Sequence, residues 1–164
     1  MAESSHRAAR PPRRGGHPNA LFVVAAVETP PVELVGRADL VTVHFAWGSL
    51  LRGLLAADPR AATGLASLLR AEGVLEGMLA IDDRDGLDEL AAIVADRGRL
   101  AAAWSAHGLG LEELRPATDI EVAASSSTWA KRLGAVPGRR AGTRLGSGRP
   151  VTRLVLRRSR SMVG

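Results

Sequence analysis

Leu40-Val-Thr-Val-His-Phe-Ala-Trp-Gly-Ser-Leu-Leu-Arg-Gly-Leu-Leu55 changes character at its centre. Leu40 to Phe45 is rich in β-branched residues and reads as a strand, and the turn-like Gly36-Arg37-Ala38-Asp39 leads into it. Ser49 is placed to cap a helix that runs through Leu55. Trp47 then falls on the loop at the carboxyl end of the strand, the edge at which open α/β sheets bind their ligands.

The same alternation extends outward in both directions. Upstream, Asn19-Ala-Leu-Phe-Val-Val-Ala-Ala-Val27 is a continuous apolar run of the kind that suits a strand buried on both faces, and Pro30-Pro31 ends it. Downstream, a helix is expected over about Arg60 to Arg70 and a strand over Gly73 to Ile81. A long helix from Asp85 to Gly108, striped by Leu87, Leu90, Val94 and Leu100, comes next. Leu109 to Leu114 reads as a strand, Ser126 to Leu133 as a short helix, and Pro150 to Leu156 as a last strand. Strands alternating with helices predict an α/β sheet with crossover connections. Residues 1–18, rich in Pro, Arg, Gly and Ser, read as a basic arm or loop. Residues 19–164 read as the folded part.

The 164 residues carry a net charge of +5, with 46% hydrophobic and 3% aromatic residues and no cysteine. That length suits one domain or a piece of a larger one. A chain without cysteine has no disulfide framework and no thiolate metal site. Ala20 to Val27 is far too short to span a bilayer, so a cytoplasmic protein with no membrane partner is expected. The charge is unevenly spread. Residues 1–18 hold four Arg and one Glu, residues 19–121 hold eight Arg and sixteen acids, and residues 122–164 hold Lys131 and nine Arg with no acid. So dense a run of cations repels itself unless a polyanion neutralises it, which points to nucleic acid.

Several chemistries find no support. His6, His17, His44 and His107 are scattered without partners at ligand spacing, so no metal is expected. No Gly-x-Ser-x-Gly elbow is present, and Gly15-Gly16 leads into His17-Pro18 rather than a helix, so it is no dinucleotide fingerprint. The acid pairs Asp82-Asp83 and Glu112-Glu113 read as solvated surface.

The five aromatic residues are more informative. Phe22 and Trp104 lie on apolar faces and are expected in the core. Trp47 stands on a loop, and Trp129 lies between Ser125-Ser-Ser-Thr128 and Lys131-Arg132, where an apolar ring has no packing reason to be. Two exposed indoles beside cations are what base stacking requires. A helix-turn-helix reading of Ser127 to Arg140 is weakened by Pro137, Gly138 and Gly142, which deny it a recognition helix.

Phe45-Ala-Trp-Gly-Ser-Leu-Leu-Arg-Gly53 resembles the Pro-Trp-Gly-Ser-Leu-Leu-Arg-Gly motif of the aminoglycoside-resistance methyltransferases that modify an adenine N1 in the decoding site of small-subunit ribosomal RNA. Gly15 to Glu28 resembles that family's strand ending in Ala-x-Ala-Glu, and Ser127-Thr-Trp-Ala-Lys-Arg-Leu133 resembles its Ser/Thr-Ser/Asp-Trp-x-Arg/Lys-Arg-Leu segment. The resemblance implies a Rossmann-like class I methyltransferase sheet with helices on both faces. S-adenosyl-L-methionine is the implied cofactor and small-subunit ribosomal RNA the implied partner of a chain working as a monomer. By the same resemblance, Glu28 and the backbone of Val27 would lie against the cofactor's adenine. Trp47 and Trp129 would sandwich the extruded target base, and Ser127 would help to position cofactor or target, with Thr128 beside it. Lys131, Arg132, Arg139 and Arg140 would grip RNA.

Two departures accompany the likeness. Ala46 stands where the family has proline. The family's first two strands, with their acidic glycine-rich turn, have no counterpart, so that residues 19–164 correspond to the C-terminal portion of an N-terminally truncated domain. A start codon upstream or a shortened copy would each account for this. If the cofactor site is lost, what remains is an RNA-binding protein without catalysis.

Overall fold

The computed structural model describes residues 12–14, 19–20, 23–80, 96–125 and 151–160. Within them the strand–helix unit anticipated at Leu40 to Leu55 is formed as strand β1 (Ala38–His44) and helix α1 (Gly48–Ala56). Helix α2 (Pro59–Leu68) follows at once. Asp58 caps it by accepting from the backbone N–H groups of Arg60 and Ala61 at 3.1 Å each, and Pro59 occupies the first turn, where no N–H is needed. Strand β2 (Leu69–Ala80) begins without an intervening loop. Helix α3 (Arg97–Ser105), strand β3 (Leu109–Pro116), helix α4 (Asp119–Ala124) and strand β4 (Val151–Arg158) complete the described elements.

The sheet has the order β1-β2-β4-β3. β1 and β2 are parallel, and β4 is antiparallel to both of its neighbours, so β1, β2 and β3 share one direction. The Ala117 N–H donates to the Val151 carbonyl at 2.8 Å, which starts β4 beside the carboxyl end of β3. A strand that re-enters a sheet at the end its neighbour has just left must run backwards.

Alternation along the central strands gives the sheet two buried faces. Leu75 and Leu79 of β2, with Leu154 and Leu156 of β4, meet Leu51, Leu54, Leu55, Leu65, Leu100 and Trp104 from α1, α2 and α3. Met78, Ala80 and Val151 face the other way and meet Phe45 and Val122, the latter from α4. Helices on both faces were expected, and both faces have them. Trp104 is fully buried, as its place on the apolar stripe implied, and its indole N–H donates to the Leu54 carbonyl at 3.0 Å.

The run Asn19 to Val27 is corrected. Residues 23–26 form no strand, and Val23 and Val24 are exposed. Among the described residues no strand lies on the outer edge of β1, and a β-branched run without a ladder to join has nothing to satisfy its backbone as a strand. Phe22, the part of the long helix that falls on residues 85–95, and the helix expected over Ser126 to Leu133 lie outside the described residues.

Candidate functional site

β1 ends in a tight change of direction. Phe45 is buried but adopts a left-handed backbone, φ 54°, while its N–H donates to the Met78 carbonyl at 2.6 Å. Gly48 is also left-handed, φ 62°. An aromatic residue in that region is held by its surroundings at a cost of order 1–3 kcal/mol. Between the two turns Trp47 is thrown outward and stands 78% exposed. It occupies the N-cap position of α1 and makes no side-chain capping bond there, because an indole offers no acceptor to the helix N–H groups. The expectation that Ser49 caps this helix is corrected accordingly: the left-handed Gly48 already turns the chain into the helix, and Ser49 lies inside its first turn.

Glu28 lines a groove of about 390 Å³ together with Ser49, Arg52, Gly53 and Ala56 of α1, and Asp58, Arg60 and Ala61 at the start of α2. The spacing of the α1 residues is that of one helix face, opposite the buried Leu51, Leu54 and Leu55. Glu28 itself is exposed. Its neighbour Val27 is half-buried against the core and fixes the approach of this segment to α2. The close fit depends on Gly64, where a Cβ would collide with the Val27 carbonyl and stand 3.3 Å from the Glu28 Cα.

The second face of the sheet carries a compact ionic cluster. Arg153 pairs with Glu76 at 2.5 Å, Glu113 at 3.0 Å and Glu121 at 3.4 Å. Arg115 holds both carboxylate oxygens of Glu121, at 2.6 and 2.9 Å. Glu121 also closes a capping box with Thr118, accepting its backbone N–H at 2.8 Å. The Arg115 hydrogen bonds, and after them the Thr118 N–H, hold the Glu121 carboxyl well below the ordinary carboxylate range. Beside this cluster a cavity of about 190 Å³ is lined by Thr42 and His44 of β1, Glu76 and Met78 of β2, Glu121 of α4, Arg153 and Ser125. The chain thus leaves Ser125 next to the carboxyl end of β1, three residues before Trp47.

Of the residues singled out in the sequence, the structure places Trp47 on the loop where it was expected, and Glu28 and Val27 beside α1 and α2. Ser127, Thr128, Trp129, Lys131, Arg132, Arg139 and Arg140 lie outside the described residues. Sequence reasoning missed Gly64, Arg60 and Glu121. The pattern Thr118-x-x-Glu121 is a legible capping box and announced the start of α4; nothing local marks Gly64. Among the described residues no group of three or more His, Asp or Glu side chains could hold a metal ion. No described helix is long and apolar enough to cross a membrane.

The sequence profile of the NpmA family, described as 16S rRNA (adenine(1408)-N(1))-methyltransferase, matches residues 1–146. A 16S rRNA (adenine(1408)-N(1))-methyltransferase of Streptoalloteichus hindustanus is 33% identical over 141 residues, covering 81% of this chain, and the chain spans 64% of that relative's length. An rRNA methyltransferase of Saccharopolyspora hirsuta is 33% identical over 82% of this chain and 89% of its own. Among solved structures, the W203A mutant of the Catenulisporales acidiphilia enzyme with cosubstrate SAM superposes with a TM-score of 0.73 at 27% identity, covering 100% of this chain and 72% of that one. The 16S rRNA methyltransferase KamB gives a TM-score of 0.75 at 27% identity, over 97% of this chain and 72% of its own.

Proposed function

The chain belongs to the 16S rRNA (adenine(1408)-N(1))-methyltransferase family, and we propose that it methylates an adenine N1 in the decoding site of small-subunit ribosomal RNA with S-adenosylmethionine as methyl donor. The observation that carries the reading is Trp47, a large apolar ring exposed on the carboxyl-end loop of β1 and fixed there by two left-handed turns. An adenine N1 is shielded inside a stacked, paired helix, so the base must be taken out and given a new surface to stack on. Trp47 supplies one such surface. Ser125, where the described residues stop, lines one cavity with His44 at the same strand end, which supports Trp129 as the opposing ring and Ser127 as the hydroxyl that orients target or cofactor.

The residues present suit the nucleobase end of the cofactor. The exposed Glu28 carboxylate can accept a hydrogen bond from an exocyclic amine, and the groove it lines falls in the usual range of ligand sites, roughly 300–1,000 Å³. When bound, S-adenosylmethionine supplies a sulfonium methyl that is already activated. The protein's task is then orientation: Trp47 holds the ring plane, Glu28 and the Val27 backbone hold the adenine end of the cofactor, and Lys131, Arg132, Arg139 and Arg140 hold the phosphates. Ribosomal RNA as target supports a cytoplasmic location, and the chain is read as acting alone, as a monomer, without a metal.

A second reading, RNA binding without methyl transfer, is favoured by the charge of residues 122–164, which needs no cofactor to act. Isothermal titration with S-adenosylmethionine, followed by transfer of labelled methyl to small ribosomal subunits, separates the two. Cofactor binding in the micromolar range and label on an adenine N1 are expected. Subunit binding without label would replace the first reading by the second.

A further inference from the structure

We infer that Arg52 and Arg60 form a phosphate-binding site for the RNA strand whose base stacks on Trp47. The inference rests on the RNA-methyltransferase reading and adds to it a second anchor, separate from the basic residues of 122–164.

Arg70, Arg115, Arg153, Arg157 and Arg160 each hold a carboxylate, and Arg158 holds the carbonyls of Ala66 and Leu69. Those guanidinium groups are committed to the fold. Arg97 holds the Glu112 carbonyl. Arg52 and Arg60 are among the described arginines with no side-chain partner among the described residues, and these two line one groove from two different helices, with the Ser49 hydroxyl as a further donor. Two carboxylates share the groove. Asp58 caps α2, one oxygen accepting the Arg60 and Ala61 backbone N–H groups, and keeps its charge, so the groove has no net positive charge and would hold phosphate by directed guanidinium hydrogen bonds. Glu28 repels phosphate and suits the amine of the cofactor. The groove therefore keeps two free planar cations, the geometry that binds phosphate oxygens in pairs.

Position favours RNA over a free anion. Trp47 is the N-cap of α1 and Arg52 lies five residues along it, an axial rise of roughly 7.5 Å. That is about two steps of a nucleic-acid strand at ~3.4 Å each. Trp47 and Arg52 therefore lie close enough along α1 for one strand to reach both. Gly53 leaves the floor of the groove open between the two arginines, and a Cβ there would stand 3.1 Å from that of Ala61.

The test is equilibrium binding of the chain to unmethylated small ribosomal subunits across a range of salt, using Arg52→Ala, Arg60→Ala, the double variant and Arg52→Lys. Each alanine variant is expected to bind roughly tenfold more weakly and to lower the slope of log K against log salt by about one. Affinity for S-adenosylmethionine, whose adenine end is assigned to Glu28 in the same groove, should fall far less than affinity for subunits, and Arg52→Lys should keep the slope while recovering only part of the affinity. Unchanged slope and affinity in the double variant, with the unsubstituted chain binding well, overturns the site but leaves the methyltransferase reading standing. An equal loss of S-adenosylmethionine binding also overturns it, by assigning the groove wholly to the cofactor. If the unsubstituted chain fails to bind subunits, both readings fall.

Discussion

The carbonyl of Val27 rests directly on the Cα of Gly64, with no room for a side chain between them. Gly64 stands inside α2, where alanine would favour the helix by about 1 kcal/mol. The glycine therefore reflects contact rather than helix propensity. Through it the segment carrying Glu28 lies flat on α2 and delivers its carboxylate to the groove shared with α1.

Gly64→Ala is accordingly expected to destabilise the chain by about 1–3 kcal/mol despite the better propensity, because the Val27–Glu28 backbone must move. Cofactor affinity should fall more than subunit affinity. Urea denaturation and isothermal titration check the two halves, and a stabilised variant would contradict the close approach.

Trp47→Ala removes a side chain that is 78% exposed, so stability should change by less than about 0.5 kcal/mol. Subunit methylation should nevertheless collapse, because stacking on an aromatic ring is worth about 1–3 kcal/mol per base. Trp47→Phe should retain part of the activity. Thermal melts alongside a methyl-transfer assay distinguish this from an effect on folding.

Trp104 behaves in the opposite way. Its N–H satisfies the Leu54 carbonyl at the end of α1, which the helix itself leaves open because Asp58 donates to Gly53 instead. Trp104→Phe keeps an aromatic ring but orphans that buried carbonyl, at an expected cost of about 1–3 kcal/mol. The denaturation midpoint should shift with little change in slope, and the S-adenosylmethionine affinity of the folded fraction should be preserved.

Glu121 sets an acid limit. Its carboxyl is held below the ordinary range by Arg115 first and Thr118 second. A carboxyl lowered in the folded state contributes stability that is fully present above its unfolded pKa and is lost as the pH falls through the folded value. Stability should therefore decline as the pH is taken from about 6 towards about 2. Glu121→Gln should be less stable at neutral pH and should show a flatter acid limb. Melting temperatures of the two proteins across that range provide the check.

Much of the fold around Trp47 is legible in the sequence. The change of period around Trp47 located a strand, a loop and a helix within a residue or two, since local hydrophobic spacing and glycine placement decide those. The three short motifs likewise pointed to the family. The apolar run before Glu28 was misread for a physical reason: β-branched composition says that a segment can be a strand, but a strand exists only where a neighbour offers a ladder.

The amino-acid sequence by itself determined the alternation of elements, the exposed tryptophan on its loop, the basic run of residues 122–164 and the family. Each of these is a local pattern or an ordered set of short motifs. Tertiary structure alone decided the reversed insertion of β4, the meeting of Glu28 with α1 and α2 over Gly64, and the convergence of Arg52 and Arg60 on one groove without an ion pair to any described carboxylate. Those depend on which backbone comes to rest against which, over separations of tens of residues. Spacing along the chain carries no record of such contacts.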